Sequence, residues 1–528
     1  MQFLKHYFLI KTFKIFSVSV GSWIFATTSF AQDSLQTNRP VIFTKPTELN
    51  WRSITWPSVN YVRIPIDGGA AIYTLPSESA LKFKINLVFP SNVYSLKQEE
   101  RTAFGALTDL LVFGGSGNMS YDAFQNYITE HGINLKTGLT PQGQLFITAD
   151  ALSTDFPKVI ELIANVILKP RFERNALPLW KQQATDSFRK LLDSNTPDKQ
   201  MRFIDQQAIE LIFGKTHYFA TAIARNSPKK INAVTYDKIK EIYAKVVSKN
   251  GLNLFVSGNF NQKDIESIKK LVTKIPYKEP SITTWLPSRD VVENTMHSIR
   301  TEIVTKADMS QSLISLRYYF PKLGKLNSLE QVQFTILEEI FSATGGVVGN
   351  DRFSKALRAD SGISYSPHAF FNATYLYPNT DVGMFALSFQ SPNERVAEAV
   401  QIATKTWNEF IEKGVNQEEL DNTRTSLMNR MLATEQTIFN KSDELMLQIN
   451  KGLLPNINPI EMALSKLDKQ RSLNEINAIL KKLRQEAVFP VLIIMGNPPE
   501  QQIELIKKID NIKIININKL EALTKHYF

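Results

Sequence analysis

Six histidines are the first place to look for metal or acid–base chemistry: His6, His131, His217, His297, His368 and His526. Two imidazoles four residues apart lie on one face of a helix and can share a zinc ion. No two of these histidines fall within four residues of each other, so a site would have to be assembled from distant positions. Cysteine is absent, which removes disulfides, thiolate ligands and cysteine nucleophiles together. Gly345, Gly346 and Gly349 form a glycine cluster, but the Lys-Ser/Thr pair of a phosphate-cradling loop is missing. That cluster reads as a helix stop. Arg358 and Tyr365 are seven residues apart. A guanidinium and a phenol are hydrogen-bond donors, but at this spacing alone they read as a surface helix residue and a strand-end aromatic.

The elements that must position these groups occur twice. Leu87-Val88-Phe89-Pro90 closes one alternating strand and Tyr318-Tyr319-Phe320-Pro321 another, an offset of 231 between Phe89 and Phe320. Phe255-Val256-Ser257-Gly258-Asn259 is matched by Ile493-Ile494-Met495-Gly496-Asn497, an offset of 238 between the glycines, and each is followed by Ile, Ile, Lys and Lys at helical spacing. Similar offsets at both ends of a long unit indicate a whole domain used twice. Within the first copy the pattern predicts a strand over 80–89, helices over 99–113 and 120–130, a strand over 144–150, helices over 155–168, 175–192 and 236–247, and a strand over 252–256. The second predicts strands over 297–304 and 313–320, a helix over 329–342, a short helix over 352–358, a strand over 383–390 and helices over 394–413 and 417–434. Strands and helices mix without strict βαβ alternation, so the fold class is α+β, two homologous domains of α/β layers.

Lys5, Lys11 and Lys14 precede a short apolar stretch, Ile15 to Phe25, and then Ser29 and Ala31 at the positions a signal peptidase reads. Residues 1–31 are therefore expected to be a signal peptide directing export, with the bacterial periplasm as destination. No later segment approaches the about 20 apolar residues of a membrane-spanning helix. Residues 32–58 read as a polar lead-in, 59–275 as the first domain, 276–290 as a Pro-rich linker and 291–528 as the second domain. The net charge of +10, three of it in the signal segment, is spread along the chain rather than gathered in a basic block with interleaved aromatics, so nucleic acid is not an expected partner.

The ordered set of motifs resembles the insulinase/pitrilysin metallopeptidases, the inverted zincins. Leu107 to Gly115 (LTDLLVFGG) is similar to the family's active-site helix and its exit, Leu168 to Phe172 (LKPRF) to its Pro-Phe turn, Phe213 to Tyr218 (FGKTHY) to a later segment, and Phe353 to Tyr365 (FSKALRADSGISY) to the second domain's LR…G..Y frame. Catalytic members carry H-x-x-E-H on that helix, with two zinc ligands and a general base, and a downstream Glu completes the ligand set. Aligned on Val112-Phe113, the ligand positions here are Ala106 and Leu110, and Asp109 stands at the base. The third-ligand region offers Ser187 or Asp186. Aliphatic side chains cannot replace imidazole ligands, so this chain is expected to bind no metal of its own, and Asp109 reads as a solvated helix carboxylate rather than a residual base.

The resemblance implies that Arg358 and Tyr365, in frame with Gly362, bind substrate near the scissile bond across a closed chamber. Loss of the ligands with retention of this pair matches family members in which the peptidase is split into two chains. The expectation is a non-catalytic subunit forming half of a clam-shell chamber around a peptide substrate, completed by a homologous partner that carries H-x-x-E-H and its Zn²⁺. The rival from another class is an inactive peptide-binding or scaffold protein of the cell envelope. A weaker third reading is an autonomous peptidase with an unusual site.

Overall fold

The computed structural model describes residues 60–93, 96–140, 143–193, 197–213, 227–279, 299–320, 328–342, 351–372, 383–434, 437–450, 469–486, 488–510 and 512–520. The signal segment, the lead-in, most of the linker, Gly345, Gly346, Gly349 and His217 lie outside these residues.

The first half runs β1 (Val62–Ile66), β2 (Ala70–Pro76), β3 (Lys82–Asn92), α1 (Gln98–Phe113), α2 (Tyr121–Glu130), β4 (Asn134–Leu139), β5 (Gln144–Leu152), α3 (Phe156–Leu168), α4 (Ala176–Asp193), α5 (Pro197–Phe213), α6 (Pro228–Asn232), α7 (Tyr236–Val246), β6 (Asn253–Gly258) and α8 (Gln262–Lys274). The second runs β7 (Ile299–Thr305), β8 (Gln311–Phe320), α9 (Ser328–Phe341), α10 (Arg352–Ser354), a π-helical turn (Lys355–Asp360), β9 (His368–Asn372), β10 (Gly383–Pro392), α11 (Val396–Lys413), α12 (Gln417–Thr434), α13 (Ile438–Asn450), α14 (Lys469–Glu486), β11 (Val488–Gly496), α15 (Glu500–Lys507) and β12 (Ile512–Lys519). The short helix anticipated over 352–358 is thus a single α turn that widens into a π turn.

Two six-stranded sheets result, ordered β1-β2-β6-β3-β5-β4 and β12-β7-β11-β8-β10-β9. Five strands of each sheet correspond in order and direction. The sixth differs: β1 joins β2 as an antiparallel hairpin, whereas β12 joins β7 in parallel from the far end of the chain. The repeated glycines have a packing reason. A Cβ on Gly258 would stand 2.3 Å from the Lys82 carbonyl oxygen, and one on Gly496 would stand 2.2 Å from Ser312 Oγ. In both halves the closing strand passes too near the start of its neighbour for any side chain.

Both faces of each sheet are covered, which explains why β8 is buried at nine successive positions. On one face Ile314, Leu316, Tyr318 and Phe320 join the core of the second half. On the other, Leu313 and Tyr319, with Val491, Ile493 and Met495 of β11, pack against Phe203, Ile204, Ala208 and Ile212 of α5, a helix of the first half. The exchange is reciprocal. Leu445 of α13, with Ile438, Met446 and Ile449, packs on Ala71, Tyr73, Leu75, Val88 and Phe255 of the first sheet. Each crossing helix also carries one aspartate to the opposite sheet. Asp205 of α5 accepts from the Arg317 guanidinium of β8, and Asp443 of α13 accepts from Lys84 Nζ at 2.6 Å and Asn86 Nδ2 at 3.2 Å on β3. Asn86 and Arg317 are separated by the strand offset of 231, and Asp205 and Asp443 by the later offset of 238. The same pin occurs twice, with its cation moved two residues along the strand.

Helix α1 is fixed by its first turn. Glu100 Oε2 accepts from the Lys97 backbone N–H at 3.0 Å, and Glu100 Oε1 accepts from Lys245 Nζ of α7 at 2.6 Å. Lys245 and Lys238 both also bond Glu241. Burial pushes the Glu100 carboxyl up, but the bonds to Lys245 and to the Lys97 backbone outweigh it and leave it below the ordinary range. Lys245 and Lys238 lower Glu241 to about 2. Depressed carboxyls bind protons more weakly in the folded state, so their stabilisation is complete above about pH 4.5 and lost as pH falls toward 2. Urea midpoints measured from pH 6 to 2.5 are expected to fall across this window. Glu241→Gln should flatten that fall, and an unchanged profile would remove these pairs from the acid response.

Candidate functional site

The exit of α1 and the Pro-Phe turn, two separate motifs in the sequence, meet in space. Gly117 N–H donates to the Lys169 carbonyl at 2.9 Å, and Glu173 N–H to the Gly114 carbonyl at 3.0 Å. A Cβ on Gly114 would lie 3.1 Å from Phe172 Cα. Phe172 itself has φ +47°, rare for a bulky residue. Its buried ring meets Tyr243 edge-on at 5.9 Å, which holds the left-handed turn in place and aims α4 at α1.

Within α1, Ala106 and Leu110 are 0% exposed and belong to the core of the first half. The two ligand positions therefore face apolar packing and bring no lone pair. Asp109 is half-buried. It accepts a hydrogen bond from Trp180 Nε1 at 2.9 Å, which corrects the expectation of a solvated carboxylate: its environment is an indole from α4. Ser187 is exposed on α4, and Asp186 pairs with Arg189 at 3.8 Å on the same helix. Among the described residues no group of three His, Asp or Glu side chains is placed to hold a metal ion. The donor set at α1 does not fit zinc, because neither ligand position carries a lone pair and the carboxylate at the base position, Asp109, already accepts from an N–H donor.

Trp180 was not among the residues singled out by sequence. The available signal was its position seven residues before Ser187, two turns back on the same face of α4.

The second set of residues is brought together. Asp351 caps α10 by accepting from Ser354 N–H at 2.7 Å, and Phe353, Leu357 and Ile363 anchor the segment in the core. The π turn ends at Gly362, φ +63°, where the Ile363 and Ser364 N–H groups both donate to the Leu357 carbonyl at 2.9 Å. This reversal returns the chain so that Arg358 Cζ lies 4.4 Å from the Tyr365 ring centroid, a cation–π contact. Tyr365 is 77% exposed. Arg358 is half-exposed and has no ion-pair partner among the described residues. Arg352, six residues earlier, is by contrast neutralised by Glu419 at 2.7 and 2.8 Å. The Arg358 fork is stacked and half-exposed.

Both sets fall inside recognised family regions. Residues 102–202 match the model of the insulinase family, peptidase family M16, and residues 233–427 match that of the M16 inactive domain. The chain belongs to the insulinase family, M16. It is a member without the H-x-x-E-H zinc motif. A curated relative, the non-peptidase homolog YmxG of Helicobacter pylori, is 22% identical over 436 residues, covering 81% of this chain and 91% of its own. Among solved structures, an M16 inactive domain from Pseudomonas fluorescens superposes with a TM-score of 0.69 at 16% identity, covering 83% of this chain and 98% of that one. The periplasmic protease PqqL from Escherichia coli superposes with a TM-score of 0.68 at 12% identity, covering 90% of this chain and 49% of PqqL. This insulinase-like chain thus spans about half the length of PqqL and nearly the whole of YmxG. No helix among its described residues is long and apolar enough to cross a membrane.

Proposed function

We propose that this chain is the metal-free half of a two-chain peptidase of the insulinase type, exported with its partner and supplying half of the chamber. Arg358 and Tyr365 hold the peptide carbonyl near the scissile bond, and the partner's H-x-x-E-H helix holds the zinc ion and cuts. The carrying observation is the asymmetry between the two sites. The ligand positions are closed into the core at Ala106 and Leu110, while Arg358 stacks on the exposed Tyr365 with no ion-pair partner among the described residues. A buried cation would have to be paired; this one is half-exposed, with no hydrogen-bond acceptor among the described residues. The likeness to PqqL supports the reading, since this chain matches 49% of that protease.

The test is a paired assay on unstructured peptides. The mature chain is measured alone and with the H-x-x-E-H homologue encoded by the same genome, with and without chelator. Chelator-sensitive cleavage by the mixture, well above that of either chain alone, is the expected result. Binding of peptide with no gain in cleavage would replace the proposal with a peptide-binding scaffold.

A further inference from the structure

We infer that Trp180 takes over the mechanical task of the missing metal, fastening α4 to α1 and closing the space above the degenerate helix. In the catalytic members that this chain resembles, zinc joins two ligands on one helix to a third on another. Here the corresponding helices are joined by the Trp180 Nε1–Asp109 Oδ2 hydrogen bond of 2.9 Å. Trp180 is only 8% exposed and belongs to the same core cluster as Ala106 and Leu110. An indole N–H can only donate. Aimed at the carboxylate, it takes up one lone pair of Oδ2. Ser187, two turns further along α4, is exposed, so the strut is at Trp180 rather than at the third-ligand position. The site thus departs from a metal site twice: ligands are missing, and the one carboxylate on α1 is held by the indole. Restoring imidazoles alone should not restore a metal site.

Hydrogen exchange on the intact mature chain tests the strut. Trp180→Phe keeps the ring and removes the donor; Asp109→Ala removes the acceptor. Each is expected to speed amide exchange in residues 106–113 and 177–187 by about tenfold, with exchange in β8 unchanged. Because both variants break one bond, the double variant should exchange little faster than either single. Wild-type exchange in Trp180→Phe would overturn the strut, as would a double variant about a hundredfold faster than wild type. Zinc binding tests the closure. Ala106→His/Leu110→His/Ser187→Glu is prepared with Trp180 in place and with Trp180→Ala, and zinc affinity is read by equilibrium dialysis. The expected result is at least tenfold tighter binding when Trp180 is removed; equal affinities would overturn the closure. Should the histidine variants fail to fold, the exchange cycle still decides the strut.

Discussion

Replacing Arg358 by alanine is expected to lower kcat/KM of the proposed two-chain peptidase by about 10²–10³-fold, the effect of deleting one oxyanion donor. The guanidinium is planar and carries several N–H donors in a fixed fork, and stacking on Tyr365 at 4.4 Å fixes its plane without consuming them. Arg358→Lys should recover only part of the loss, since an ammonium on a flexible stem keeps the charge but neither the fork nor the stack. Tyr365→Phe retains the ring beneath the guanidinium and removes one hydroxyl, so a smaller loss of about tenfold is expected. Both side chains lie at the surface, and the urea midpoint of the isolated chain should stay at its wild-type value. Steady-state kinetics on the mixture separate the outcomes. A fall in kcat at constant KM places the pair at the transition state, and a rise in KM alone makes it a ground-state clamp. Wild-type activity from Arg358→Ala would end the catalytic role.

Asp205→Ala is expected to destabilise the chain by about 3–5 kcal/mol, because it strands a buried guanidinium. Arg317 is 1% exposed. Without Asp205 its hydrogen-bond partners among the described residues reduce to Ser315 Oγ at 3.1 Å and Met384 Sδ at 3.4 Å, neither of which carries charge. The repeated pin in the other half makes an internal control. Asp443 and Lys84 have 43% and 22% of their side chains exposed, so water can solvate what Asp443→Ala leaves behind, and a cost of up to about 1 kcal/mol is expected. Urea unfolding of the two variants measures the contrast. The double change Asp205→Ala/Arg317→Met removes the stranded charge and should return most of the lost stability. Equal costs for Asp205→Ala and Asp443→Ala would mean that burial of Arg317 is not what makes its pin important.

Much of the fold was legible in the sequence where neighbouring residues act on each other. The helix predicted over 99–113 is α1 at 98–113, and the one predicted over 417–434 has those bounds. Ser120 caps α2 by accepting from Ala123 N–H at 3.3 Å. Such features depend on contacts three or four residues apart, which the pattern displays directly. Edge strands β1, β4, β9 and β12 and the crossing helices α5 and α13 were not anticipated. Their stability comes from the sheet each one joins or covers, and their own periodicity carries little of it.

The same division holds for the site. That Ala106 and Leu110 cannot ligate a metal follows from their side chains alone, as does the absence of any close histidine pair, because a ligand needs a lone pair and neither a methyl nor an isobutyl group has one. The repeat, too, is written in the chain, since both glycines answer the same close approach of strands. What only the tertiary structure decided is which groups meet across long separations: Trp180 with Asp109, 71 residues apart, and Arg317 with Asp205, 112 apart. It also decided that Arg358 stacks on an exposed Tyr365, with no carboxylate partner among the described residues. A side chain's chemistry is a local property, but its partner is chosen by how helices and sheets pack, and that packing is settled by the whole core at once.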